Sequence, residues 1–143
     1  MKREAVVEEA RRWLGTPYVH QASCRGAGCD CLGFIRGVWN ALNDDPAEVP
    51  PPYRPDWAEA GGAETLLEAA RRLLIEVPQE RAQPGDVMIF RMSDDSPAKH
   101  CAIISDDNRM IHSYDNHGVV ESHVGSWWQN RCVGTFKYPW IED

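Results

Sequence analysis

Hydrophobic positions in the first half of the chain recur at three- and four-residue steps. Val6, Val7, Ala10, Trp13 and Leu14 stand among Arg and Glu, which predicts an amphipathic helix over residues 3–14, ended by Gly15-Thr16-Pro17. Residues 18–28 are rich in Gly, Ser and Cys and read as a loop. A second helix is predicted from Cys31 to Leu42, with Ile35, Val38, Trp39 and Leu42 as its buried stripe and Asp30 as a favoured N-cap. Gly33 and Gly37, four apart, leave one face of that helix bare and predict close packing against another element. Residues 43–57 hold five prolines, which exclude regular structure; this stretch reads as an ordered excursion or lid. Ala63 to Ile75 reads as a third helix, with Leu66, Leu67, Ala70, Leu73 and Leu74 on its apolar face.

After Gln83-Pro84-Gly85 the period shortens. Residues 86–90, 100–105, 110–114, 119–121 and 133–138 are short β-rich runs, and Asp106-Asp107-Asn108 turns the chain between two of them. Helices followed by an antiparallel sheet of about five strands define an α+β fold, expected to form one domain over residues 1–143.

Composition narrows the function classes. With 143 residues, 43% hydrophobic and 26% charged, the chain is of ordinary globular type. A net charge of −7 argues against nucleic acid and against an anionic membrane surface. No run approaches the roughly 18 apolar residues of a membrane span, so no membrane insertion is expected. The first ten residues are charged throughout and lack the apolar core of a signal peptide. Cytoplasmic synthesis is therefore expected, with delivery elsewhere by some other route. Five cysteines leave at least one thiol without an internal partner, and reduced thiols are expected; a Cys24–Cys29 bridge stays open.

Cys31 carries the sharpest chemical signal. At the first turn of a helix, unpaired backbone N–H groups and the positive end of the dipole favour thiolate over thiol. His100 and His112 flank the Asp106-Asp107-Asn108 turn. A three-residue loop at 105–107 sets them directly opposite each other, on one face of the hairpin and with Cβ atoms about 5 Å apart; a register shift of two keeps both on that face. One imidazole beside a thiol serves as base or ion-pair partner, and a second fixes its tautomer. His20, Cys24, Cys29 and Cys31 have the spacing Cys-x4-Cys-x-Cys, not the paired Cys-x2-Cys of a structural zinc site, so no metal or other cofactor is expected. His117 and His123 read as solvated, and Asp94-Asp95 and Asp106-Asp107 as loop and turn charge. Trp127-Trp128 suits either stacking on a substrate or packing over the sheet.

Gly15-Thr16-Pro17-Tyr18, Asp30-Cys31-Leu32-Gly33, Pro84-Gly85-Asp86, His100-Cys101-Ala102-Ile103-Ile104 and Met110-Ile111-His112 resemble, in order and spacing, the NlpC-type cysteine peptidases. These are compact papain-like hydrolases of bacterial cell-wall peptides. The resemblance implies Cys31 as nucleophile, His100 as base, His112 as orienting residue and Tyr18 as an oxyanion donor. Asp30, Leu32 and His20 would border the substrate. The implied substrate is a peptidoglycan stem peptide, cut at the amide between D-γ-glutamyl and a diamino acid. An amidase or acyltransferase on another N-acyl substrate, and a non-catalytic wall-binding component, are the alternatives. The Cys-rich loop looks most like the branch encoded with phage tails and gene transfer agents, whose tail proteins would be partners. Two positions depart from the family, which commonly has Ser at Leu32 and Trp at His20. Leu32 adjoins the nucleophile, where substrate preference is set.

Overall fold

The structure, a computed structural model, describes residues 1–50 and 64–142. Helix α1 (Arg3–Arg12) and helix α2 (Cys31–Leu42) carry the first two predicted apolar stripes. Between them a two-stranded ribbon, β1 (Ser23–Cys24) and β2 (Gly28–Cys29), replaces part of the expected loop. Residues 43–50 hold no regular element; the remainder of the proline-rich excursion, 51–57, and the start of the third predicted helix at Ala63 lie outside the described residues. Helix α3 spans Thr65–Leu73, and Ile75, read as its last residue, begins strand β3 (Ile75–Val77). The helical period could not show that β3 has a distant partner strand.

Strands β4 (Val87–Arg91), β5 (Ala98–Asp106), β6 (Arg109–Tyr114), β7 (Gly118–His123) and β8 (Cys132–Lys137) follow, with a single turn of helix, α4 (Ser126–Gln129), before the last. They form one antiparallel sheet in the order β3-β8-β4-β5-β6-β7, six strands where about five were expected. Helices precede sheet, and the fold is α+β.

Four successive residues of β4 are buried because both faces of the sheet are covered. Val87, Ile89, Cys101, Ile103 and Ile111 join Val6, Phe34 and Val38 of the helices in the larger core. Met88, Phe90, Ala102, Ile104 and Met110 form a second apolar cluster with Val124 and the half-buried Trp128 on the other face. The bare face of α2 is filled as its glycines imply: a Cβ at Gly37 would enter the Trp13 ring, and one at Gly33 the Ala22 carbonyl. Arg3 of α1 makes an ion pair with the fully buried Asp86, which also accepts from the Gln83 amide at 2.9 Å. That pair fastens the first helix to the entrance of β4.

Candidate active site

Cys31 is the first residue of α2, and Asp30 caps it. Gly33 N–H donates to Asp30 Oδ1 at 2.7 Å, and Gln21 N–H donates to Oδ2 at 2.7 Å. The residues before the helix are tied to the sheet. Tyr18 and Cys29 form a parallel bridge, and Ser113 of β6 donates to the Cys29 carbonyl at 2.8 Å. The nucleophile candidate is thus held by the strand that also carries His112.

The histidines meet, though not in the expected register. The turn between β5 and β6 has two residues, Asp107 and Asn108, with Asn108 in the left-handed region at φ 58°. Pairing runs Ile103 to Ile111 and Ile104 to Met110, two places from the expected register, so His112 lies diagonal to His100 rather than opposite it. An even displacement preserves the face, and His100 Nε2 lies 2.7 Å from His112 Nδ1. His112 Nε2 lies 3.0 Å from Ser122 Oγ. Burial and the neighbouring His100 hold His112 far below the ordinary histidine range, at about 3, so it is neutral. A neutral ring that accepts at Nδ1 carries its proton on Nε2 and donates it to Ser122. His100 then donates from Nε2 and keeps Nδ1 for the Cys31 side.

β5 bulges beside Cys31. Phe90 pairs with His100 while the next residue, Arg91, pairs with Ala98, which leaves Lys99 as the extra residue. A bulge bends and twists its strand. Here it presents three consecutive residues to one sulfur: the protonated Cys31 thiol donates to the Lys99 carbonyl at 3.6 Å, and the thiolate accepts from Cys101 and His100. The Cys101 hydrogen bond, then that of His100 and its positive charge, pull the Cys31 thiol down to about 5, against burial and the charge of Asp30. Cys101 is itself buried and held well above the ordinary thiol range, so it remains a donor. Burial, with the charges of Cys31 and Asp30, also pushes the Tyr18 phenol far up and keeps it protonated.

Tyr18, His20, Asp30, Cys31, Leu32 and His100 line one cleft of about 220 Å³, together with Lys99 and Tyr114. His112 stands behind it, 2% exposed, and touches the cleft through His100. His20 Nδ1 is 3.9 Å from Asp30 Oδ2. His117, read as solvated, is exposed but stacks on Tyr114 at 5.4 Å. The Trp pair divides: Trp128 packs against the histidines, and Trp127 is 45% exposed under the Arg131 guanidinium. Cys24 is exposed, Cys29 is fully buried, and both are free thiols. Among the described residues, no three His, Cys, Asp or Glu side chains gather as a metal-holding group. Sequence reasoning missed Ser122, Cys101 and the Lys99 carbonyl. The pairing of Ser122 with Met110 puts Ser122 on the face of His112, a relation visible once the register is known.

A thiolate at a helix start, an imidazole beside it, a neutral imidazole behind that and a protonated phenol on the rim can together attack a carbonyl and protonate a leaving group. The NlpC/P60 family matches residues 15–137, and the chain belongs to that family. The gamma-DL-glutamyl hydrolase of Bacillus subtilis (strain 168) is 24% identical over 135 residues. That alignment covers 93% of this chain and 29% of the relative, so the chain spans about three-tenths of the relative's length. Among solved structures, an NlpC/P60 family protein from Bacillus cereus ATCC 10987 is 20% identical with a TM-score of 0.70, over 96% of this chain and 40% of that one. The NlpC/p60 domain of the peptidoglycan hydrolase SagA is 23% identical with a TM-score of 0.64, over 96% and 99%. These likenesses show the fold.

Proposed function

We propose that this member of the NlpC/P60 family is a cysteine peptidase that hydrolyses an amide of peptidoglycan stem peptides, the D-γ-glutamyl–diamino acid bond. The observation that carries the reading is the line Cys31–His100–His112–Ser122, with 2.7 Å between the imidazoles and a sulfur held at about 5. The Cys31 thiolate attacks the carbonyl carbon. The oxyanion receives hydrogen bonds from the Cys31 backbone N–H and the Tyr18 hydroxyl. Protonated His100 gives its Nδ1 proton to the leaving amine as the C–N bond breaks, which leaves a thioester. His100 then takes a proton from water, and the hydroxide releases the glutamyl carboxylate and the thiolate. His112, kept neutral, accepts from His100 Nε2 throughout and fixes its tautomer. The Bacillus subtilis relative, a gamma-DL-glutamyl hydrolase, supports the choice of the glutamyl bond.

Purified sacculi digested with the wild type should release stem-peptide fragments whose masses identify the bond. Cys31→Ala should release none, while Cys24→Ala, an exposed ribbon position, should digest like the wild type. Undiminished digestion by Cys31→Ala sinks the assignment. One observation favours a second substrate class: Leu32 borders the cleft and also an apolar cavity of about 470 Å³ between α2 and α3. N-acyl amino acids in the same assay distinguish an amidase for apolar acyl groups.

A further inference from the structure

The two imidazoles do not sit in a polar surround. The Trp128 ring lies 5.3 Å from that of His100, tilted 31° from parallel, so the two rings are in direct aromatic contact. Trp128 and His112 meet in a T-shaped contact at 5.3 Å and 87°. Tyr114 lies nearly parallel to His112, at 5.3 Å and 30°. The fully buried Phe90 meets Trp128 edge-on at 5.0 Å and lies 6.0 Å from His100. Trp128 itself is half-buried on α4, whose end is held by Gln129 Nε2 donating to the Val124 carbonyl at 2.9 Å.

We propose that Trp128 is a positioning residue for His100: its indole face holds the imidazole in the plane that reaches Cys31 on one side and His112 on the other, and favours the protonated ring. This rests on the assignment of Cys31 and His100 above. Two physical effects act together. The face of an indole within about 6 Å attracts a cation more than a neutral ring, and the attraction grows as water is removed. The same apolar wall keeps water from the hydrogen bond between the imidazoles, which strengthens it. Both effects act on His100 as the imidazolium partner of the thiolate, before any substrate binds. Trp127, one residue earlier, lies under Arg131 and meets Trp128 edge-on at 4.7 Å, but among the described residues it has no ring contact with either imidazole.

The test uses one readout without substrate and one with it. The first is the rate at which iodoacetamide alkylates Cys31 at pH 6, followed by peptide mass; the second is kcat and KM for stem-peptide hydrolysis. Trp128→Leu should lower the alkylation rate and kcat about tenfold with KM within about twofold, and Trp128→Phe, which restores a ring face, should recover most of both. Trp127→Leu should match the wild type. If Trp128→Leu unfolds, Trp128→Met has bulk without a ring and carries the same expected losses. Wild-type alkylation in the Leu or Met variant overturns the proposal. So does a Phe variant as slow as Leu, or an equal loss in Trp127→Leu. If the wild type leaves stem peptides intact yet Trp128→Leu still slows alkylation, the substrate reading fails and the role of Trp128 stands.

Discussion

Asp30 does two jobs of opposite sign, and its replacement separates them. The carboxylate is 2% exposed and accepts two backbone N–H bonds at 2.7 Å, from Gly33 in the first turn of α2 and from Gln21 at a left-handed φ of 66°. Asp30→Ala removes an N-cap, about 1 kcal/mol. It also leaves the Gln21 amide without a charged acceptor, about 2 kcal/mol more. The sum of about 3 kcal/mol corresponds to a fall of about 10 °C in Tm for a chain of this size. Asp30→Asn keeps an acceptor for Gly33 but turns an NH2 toward the Gln21 amide, so about half that loss is expected. The negative charge of Asp30 also works against the Cys31 thiolate. Once folded, Asp30→Asn should therefore ionise Cys31 at lower pH than the wild type. Thermal melts give the first effect and the pH dependence of Cys31 alkylation the second. A loss below about 1 kcal/mol in Asp30→Ala, or a higher ionisation midpoint in Asp30→Asn, would refute the reasoning.

Other outcomes follow from the same geometry. Cys31 gains a proton as pH falls through about 5, so kcat/KM should rise along an acid limb near that value. His112 is neutral in the fold down to about 3, whereas the unfolded side chain takes a proton near 6.5. Its contribution to stability is complete above about 6.5 and is lost as pH falls toward 3; melts at pH 7 and 4 should differ more for the wild type than for His112→Gln. Cys101→Val removes the thiol that hydrogen-bonds Cys31 and should raise the Cys31 midpoint by about one unit, while Cys101→Ser keeps a donor and should stay near the wild type. Gly37→Ala drives a methyl group into Trp13 and should cost about 2 kcal/mol by denaturant titration.

Much of the site was legible in the sequence. Asp30 and Cys31 declare a cap and a first turn by residue type alone, and Asp30 does cap a helix that begins at Cys31. The shared face of His100 and His112 survived an error of two in register because side chains alternate with period two. Tyr18 and Leu32 reached the cleft because local turns and the helix start place them. The ribbon at 23–29 and the edge strand at Ile75 were missed, since two- and three-residue strands take their definition from partners rather than from any periodicity of their own.

By itself, the order of residues determined the α+β class, the helix that presents Cys31 and the face that the histidines share. Each depends on contacts within a few residues or on one hairpin. Tertiary structure alone decided what surrounds the sulfur and the imidazoles. The bulge at Lys99 sets a carbonyl, His100 and Cys101 around Cys31. Ser122 of β7 meets His112 of the neighbouring strand, and Trp128 arrives from a helix far along the chain to pack against His100. Those placements come from strand register and the packing of two sheet faces, which join residues that no local pattern relates.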